Sequence, residues 1–399
     1  MFLYVLCRYL LSFYLWFQSF AEDKLKRSII LLLVFIIFIF LGCITVSAED
    51  GELLSDFKDV YSLSDNLPED VRSELSRIGI DDEDYSTINN LSFEDILSYL
   101  SDVSYKEATQ ALPSVCACVA VLLIYSMFSG LYTSTTSPQL TSVLSVVSAI
   151  CISCILMTPV VSLIKTAADA IETSANFMLG FIPVMAAILV TSGFAVTSSG
   201  YTSMMLFAAE GVAQFFSRVI SPLLSSFLAL GITSSVVPEI KTTSILNFFL
   251  KTIKWFMSFV FTLFTAFLSL KTMYGASVDN VSSRAMKYTM SSFVPVVGGA
   301  LSEAYRTVHG SIGVLRSGVG IFVIMAVFIV FLPILIKLLI WLLTINLCKS
   351  FAETSDLSAP SVMLSHIGSV LSLLLSVIIC IVALFVISTA LIISAGGRA

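Results

Sequence analysis

The sequence predicts an all-α polytopic membrane protein, on three observations. Of its 399 residues, 57% are hydrophobic and only 12% charged, about half the usual charged share. Mean hydropathy is +0.98. The apolar residues collect in long runs with few charges inside them, more apolar surface than a water-soluble interior can hide. A soluble enzyme, a nucleic-acid binder and a disordered scaffold are excluded on these grounds.

The first element is residues 1–48, an N-terminal extension and signal peptide. Lys24, Lys26 and Arg27 precede the unbroken run 28–44, which is followed by Val46-Ser47-Ala48 and then Glu49-Asp50. A basic region, an apolar region and a small-residue site predict cleavage after Ala48; an uncleaved anchor helix is the alternative. Phe40-Leu41-Gly42-Cys43 makes a poor lipoprotein site. Residues 1–23 are themselves apolar, which is unusual ahead of a signal peptide, and a translation start near Leu25 is expected.

Residues 49–112 form an acidic, exported helical segment. Over 49–110 there are 17 Asp and Glu against four Lys and Arg, whereas 111–399 carry 13 basic and eight acidic residues. Pro68 can open a short helix with Glu69 and Asp70 at its positive end and Gly79 at its close. Ser92 and Asp95 have capping-box spacing ahead of Ile96, Leu97, Leu100 and Val103. The cluster Asp81–Asp84 reads as a solvated acidic surface, because Thr87 and Phe93 stand where a calcium loop needs Gly and Glu. None of the eight Cys lies in this segment, so no disulfide framework holds it. Cys116, Cys118, Cys151 and Cys154 lie in apolar runs and are expected to be buried small hydrophobes.

Residues 113–399 form the multi-spanning domain. Five runs can each cross a bilayer, near 113–132, 140–164, 252–274, 318–343 and 366–395. Residues 176–197 and 219–237 are further candidates, while 203–217 is short and contains Glu210. About seven spans are expected, within a range of six to eight. With 49–112 outside, two crossings within 176–237 place six basic residues inside (Lys271, Arg284, Lys287, Arg306, Arg316 and Arg398). One or three crossings place only Lys241, Lys251, Lys254 and Lys349 there. The positive-inside rule leans to two, and so to seven spans and an internal C-terminus.

Phe181-Ile182-Pro183-Val184 recurs as Phe293-Val294-Pro295-Val296, 112 positions later. Ile164-Lys165-Thr166 and Leu270-Lys271-Thr272 precede the two copies; Pro222 and Pro333 follow them by 39 and 38 residues. The order predicts a duplicated unit, roughly 140–237 and 252–343, and the seven-span count makes the halves inverted. Each proline removes a backbone donor, so Pro183, Pro295, Pro222 and Pro333 are candidate helix breaks lining a cavity, as in permeases. Phe181, Phe293, Gly298 and Gly299 belong to the same candidate set. Glu210, Glu303, Arg306 and Lys337 are the candidate intramembrane polar residues, with Glu303 and Arg306 one helical turn apart. An amphipathic surface helix with an ordinary ion pair is the plainer reading of 298–310.

No catalytic, cofactor-binding or metal-ligating set is legible. The two His, His309 and His366, lie far from any partner motif, and Walker A, H-E-x-x-H and nucleophile-elbow patterns are missing. The expectation is a protein that is not an enzyme and carries no cofactor.

Phe181-Ile-Pro-Val followed by Thr191-Ser192-Gly193, the block Arg284-Ala-Met-Lys-Tyr through Ser291-Ser292-Phe293-Val-Pro-Val-Val-Gly, Gly313-Val314-Leu315 and Ile392-Ile393-Ser394-Ala395-Gly396 together resemble the stage III sporulation protein AE family of endospore-forming bacteria. The resemblance implies a multi-pass component of the channel, or feeding-tube, apparatus between mother cell and engulfed forespore. It implies as partners the other proteins of the same operon, among them ring-forming subunits and an ATPase, and a forespore-side membrane protein. It implies a mother-cell membrane surrounding the forespore as the address, with 49–112 extracytoplasmic, and a role in late forespore gene expression. The residues alone leave open an export-platform or permease-like subunit, an autonomous secondary transporter of a small solute, and a structural anchor.

Overall fold

The computed structural model describes residues 93–132, 138–236, 242–293, 298–355 and 357–395. The signal peptide, the start near Leu25, the helix closed by Gly79 and the Asp81–Asp84 cluster all lie outside them. The elements are α1 (Phe93–Tyr132), α2 (Pro138–Thr191), α3 (Ala195–Phe215), a π-turn (Phe216–Ile220), α4 (Ser221–Val236), α5 (Thr242–Phe293), α6 (Gly298–Thr354) and α7 (Ser358–Ala395). The described residues hold six helices long and apolar enough to cross a membrane, with α3, the π-turn and α4 counting as one. The protein is an all-α polytopic membrane protein, at the lower end of the expected six to eight spans.

Six rather than seven arises because 140–164 and 176–197 do not form separate spans. They share α2, which runs unbroken through 54 residues. Likewise 203–217 and 219–237 join through the π-turn into one rod. If all six helices cross, an even count puts Phe93 and Ala395 on the same side. An exported 49–112 segment then goes with an exported C-terminus, not the internal one that seven spans imply. At 1.5 Å per residue, α2, α5 and α6 are each about 80 Å long, far beyond a hydrocarbon core of about 30 Å. Their ends must project from the bilayer.

Burial orders the bundle. In α7, 83% of the most apolar window is buried, against 22% in α1. A helix that is apolar all round belongs at the centre, and α7 packs on α2, α4, α5 and α6. Helix α5 shows the membrane pattern plainly. Its buried face runs Ser258, Phe261, Thr265, Leu268, Thr272, Gly275 and Asp279, alternating steps of three and four. Its exposed face carries Phe248, Trp255, Phe259, Leu263, Phe267, Leu270 and Tyr274. Five of the seven inward residues are small or polar and the outward ones are large and apolar, as expected where lipid is the solvent. Cys116, Cys151 and Cys154 follow this outward pattern and are exposed; of the four cysteines expected inside, only Cys118 is buried.

The prolines behave differently from the sequence expectation. Helix α2 continues through Pro183, α6 through Pro333 and α1 through Pro113. Membrane helices tolerate interior proline because neighbouring groups and local adjustment re-satisfy the freed backbone. Near Pro222 the helix adjusts in just this way. Proline cannot donate to the carbonyl four residues back, and the turn before it widens so that Ser221 N–H reaches Phe216 O. Pro295 lies outside the described residues, between the end of α5 at Phe293 and the start of α6 at Gly298.

The proposed units 140–237 and 252–343 each cover a pair of helices, α2 with α3–α4 and α5 with α6. Two helices separate the equivalent prolines. If each helix crosses once, a duplication with these boundaries is parallel, whereas seven spans imply inverted halves.

Close contacts fix the pairing of α3 with α5. A Cβ on Gly275 would stand 2.7 Å from Thr197 Cα and 2.9 Å from its N, and this backbone cannot swing aside. Gly275→Ala is expected to lower stability by about 2 kcal/mol through overpacking, read as a lower unfolding temperature in detergent. Gly200→Ala is its control, since the added methyl would meet Lys271 Cβ at an ordinary 3.8 Å.

Candidate functional site

The turn between α2 and α3 is built by the sequence Thr191-Ser192-Gly193-Phe194. Gly193 has φ 78°, a left-handed conformation that glycine adopts without a Cβ penalty. Gly193 N–H donates to Val190 O at 2.9 Å and Phe194 N–H to Leu189 O at 2.8 Å, the two bonds of a Schellman stop. Ser192 Oγ adds a bond to Ile188 O at 2.6 Å. The helix therefore breaks here, ten residues after Pro183.

Helix α3 then begins without a cap from its own chain neighbour, because Phe194 offers no side-chain acceptor. Asp279 of α5 supplies it. Val196 N–H donates to Oδ1 at 3.0 Å, Thr197 N–H to Oδ2 at 2.8 Å and Thr197 Oγ–H to Oδ2 at 2.7 Å. Asp279 is 3% exposed. A buried carboxylate is tolerable only when its lone pairs are filled, and the positive end of α3 favours it further. Gly275, one turn earlier on α5, lets the two helices approach closely enough for this bond.

Arg316 of α6 lies at the same turn, its guanidinium 5.5 Å from the centre of the Phe194 ring. It is 4% exposed. The cation–π contact is favourable, yet Nε and Nη1 have no hydrogen-bond partner.

Lys337 lies 21 positions further along α6, about 32 Å at helical rise, and is paired. Its Nζ is 3.2 Å from Oε2 of Glu107 on α1, with side chains 23% and 14% exposed. The ammonium is close enough for a strong charge interaction but out of line for a hydrogen bond to that oxygen.

The remaining candidates are dispersed. Glu210 is exposed and accepts a hydrogen bond from Gln214 Nε2, one turn away. Glu303 is exposed on the first turns of α6, and the side chain of Arg306 lies outside the described set. Phe181 is fully buried in the core whereas Pro183 faces outward beside it. Pro222 is exposed and Pro333 half-buried; Gly298 and Gly299 are the first residues of α6. No two of Glu210, Glu303 and Lys337 are brought together. An apolar cavity of about 260 Å³ opens between α3, α5 and α7 beside the π-turn, lined among others by Phe207, Phe216, Phe256 and Leu384.

Glu107, Asp279 and Arg316 escape the sequence reading. Glu107 is counted there with the acidic exported segment, and Arg316 as a loop charge. Asp279 falls between the runs 252–274 and 318–343 and is given no role there. The available signal was periodicity: Asp279 continues the three-four stripe that α5 buries.

A family model for stage III sporulation protein AE matches residues 83–396, from just ahead of α1 to the end of α7. The stage III sporulation protein AE of Bacillus subtilis (strain 168) is 27% identical over 158 residues. That stretch is 40% of this chain and 40% of the relative's length. No solved structure matches the chain. With the family model covering every described helix, the chain belongs to the stage III sporulation protein AE family.

Proposed function

We propose that this protein is the multi-pass membrane subunit of the sporulation channel complex that links mother cell and forespore and supports late forespore gene expression. It acts as an export-platform or permease-like part, without catalysis of its own. The match to the sporulation family across the whole helical bundle carries this reading. The interior supports a platform over an autonomous transporter. Asp279 is committed to capping α3, and Lys337 is paired with Glu107, so two of the interior charges hold helices together.

On this reading the bundle sits in the mother-cell membrane around the forespore, with residues 49–112 in the space between the membranes. Its partners are the ring-forming subunits and ATPase of the same operon and a forespore-side membrane protein. Crosslinking and affinity purification from sporulating cells, with mass spectrometry of the recovered proteins, tests it. Recovery with ring-forming proteins and the ATPase is the expected result. Recovery alone, together with solute movement by the reconstituted protein that is lost in Glu210→Gln or Glu303→Gln, would establish the secondary transporter instead.

A further inference from the structure

We infer that the cavity between α3, α5 and α7 is a binding site for one acyl chain of a bilayer phospholipid, which enters sideways from the hydrocarbon core. The site follows from the membrane-spanning fold and is independent of the sporulation role. The cavity measures about 260 Å³. An apolar cavity of about 150 Å³ takes up benzene, and on that scale there is room for roughly ten chain carbons.

Local structure makes the room. Gly211 is on the α3 wall, and a Cβ there would meet nothing within 4 Å. From Phe216 the π-turn widens the helix, and its two end residues, Phe216 and Ile220, also line the cavity. Packed interiors have few gaps larger than a water molecule, so a cavity of this size calls for an occupant.

Chemistry and position identify the occupant. No lining residue carries a charge, a hydroxyl or an amide in its side chain, so nothing is there to orient a polar solute. Glu210 and Gln214 of the same helix are bonded to each other and are not among the lining residues. Phe207, Phe256 and Val260 form an exposed rim, whereas Phe216, Cys380 and Leu384 are buried as the floor. The rim adjoins Trp255, Phe259 and Leu263, on the face of α5 turned toward lipid. The cavity also lies well inside each span that walls it. Its nearest approach to an end is Leu384, ten positions before the α7 span closes at Ser394. That is about 15 Å at helical rise, half the thickness of a hydrocarbon core. At this depth the medium against the mouth is hydrocarbon, and a chain end that enters restores dispersion contacts to the walls. A partner's helix, about 10 Å across, would cover the mouth without filling the cavity.

The test uses the full-length protein in nanodiscs of phosphatidylcholine, doped with the same lipid carrying a diazirine near the end of one acyl chain. After illumination, adducts are located by mass spectrometry of peptides. Adducts are expected on Cys380 and Leu384 of the floor as well as on Phe207 and Phe256 at the rim. A diazirine placed on the headgroup instead should leave the floor unlabelled. Gly211→Leu fills the cavity from α3, and Val377→Phe fills it from α7. Each should lower floor labelling about tenfold or more, as for a bound group that has lost its room. Labelling of Phe259 and Leu263 on the outer face of α5 should stay as in the parent. Absence of floor adducts in the parent overturns the site and leaves the cavity to a side chain of a neighbouring helix. Equal floor labelling by the headgroup probe, or undiminished floor labelling in either folded variant, overturns it too. Should both variants fail to fold, the comparison of the two probes on the parent decides alone.

Discussion

Asp279→Ala is expected to destabilise the protein by on the order of 3 kcal/mol, because it strips a buried helix start of its cap. The lost groups are specific. Thr197 N–H would remain buried with no acceptor, the part-buried Val196 N–H would lose its acceptor, and the Thr197 hydroxyl would lose its partner too. The first N–H groups of a helix have no partner inside it, and Phe194 cannot replace the carboxylate. Asp279→Asn should cost about half as much, since an amide oxygen still accepts but its NH2 must then face another donor. Thr197→Val isolates the hydroxyl and should cost about 1 kcal/mol. Thermal unfolding in detergent, followed by the loss of monodisperse protein, ranks the three variants. Equal stability of Asp279→Ala and the parent would mean that water or a rearranged backbone caps α3, and that the carboxylate is dispensable to the fold.

How far the sequence carries can be judged at this same place. Membrane character, helical class and the approximate number of spans follow from composition and run length, because the hydrophobic effect acts on whole segments. Helix ends are decided by single residues. Proline draws the eye to Pro183, yet interior proline is tolerated and Gly193 ends the helix, with its left-handed φ and its Schellman pair. The triplet Thr191-Ser192-Gly193 lay in plain view as a family landmark; its physical role is a stop signal.

Tertiary partners were legible least. Asp279 and Thr197 are 82 positions apart, and Glu107 and Lys337 are 230 apart in the chain. Counting charges by segment puts Glu107 with the exported acidic region, although α1 runs across the boundary at 112 as one helix and brings Glu107 into contact with α6. Counting basic residues for orientation is weakened for a related reason. The tally takes Arg316 as a loop charge, whereas it lies buried inside a helix of 57 residues. Spacing along one helix could have shown Asp279 on the buried stripe of α5. Nothing in the spacing names the helix start that it caps.

The pair between α1 and α6 gives the second large expected effect, and it separates a structural ion pair from a transport site. Lys337→Met should destabilise by about 3 kcal/mol, since it leaves the Glu107 carboxylate largely buried without its counter-charge. Glu107→Gln should act in the same direction and strand the ammonium, although Lys337 is the more exposed partner and its long stem can carry the charge outward. The double variant Glu107→Gln, Lys337→Met is expected to be more stable than either single variant, because neither charge is left alone in the bundle. The coupling energy should be about 1.5 kcal/mol or more, the upper range for residues in direct contact. Each protein is measured by thermal unfolding in detergent and by spore formation in cells. If the pair only fastens α1 to α6, the double variant should recover both stability and spore formation. Recovery of stability without spore formation would show that the charges themselves are used, and would place Glu107 and Lys337 on a path through the membrane. Additive losses would show that the two side chains do not interact in the folded protein, and α1 would then owe its position to apolar packing alone.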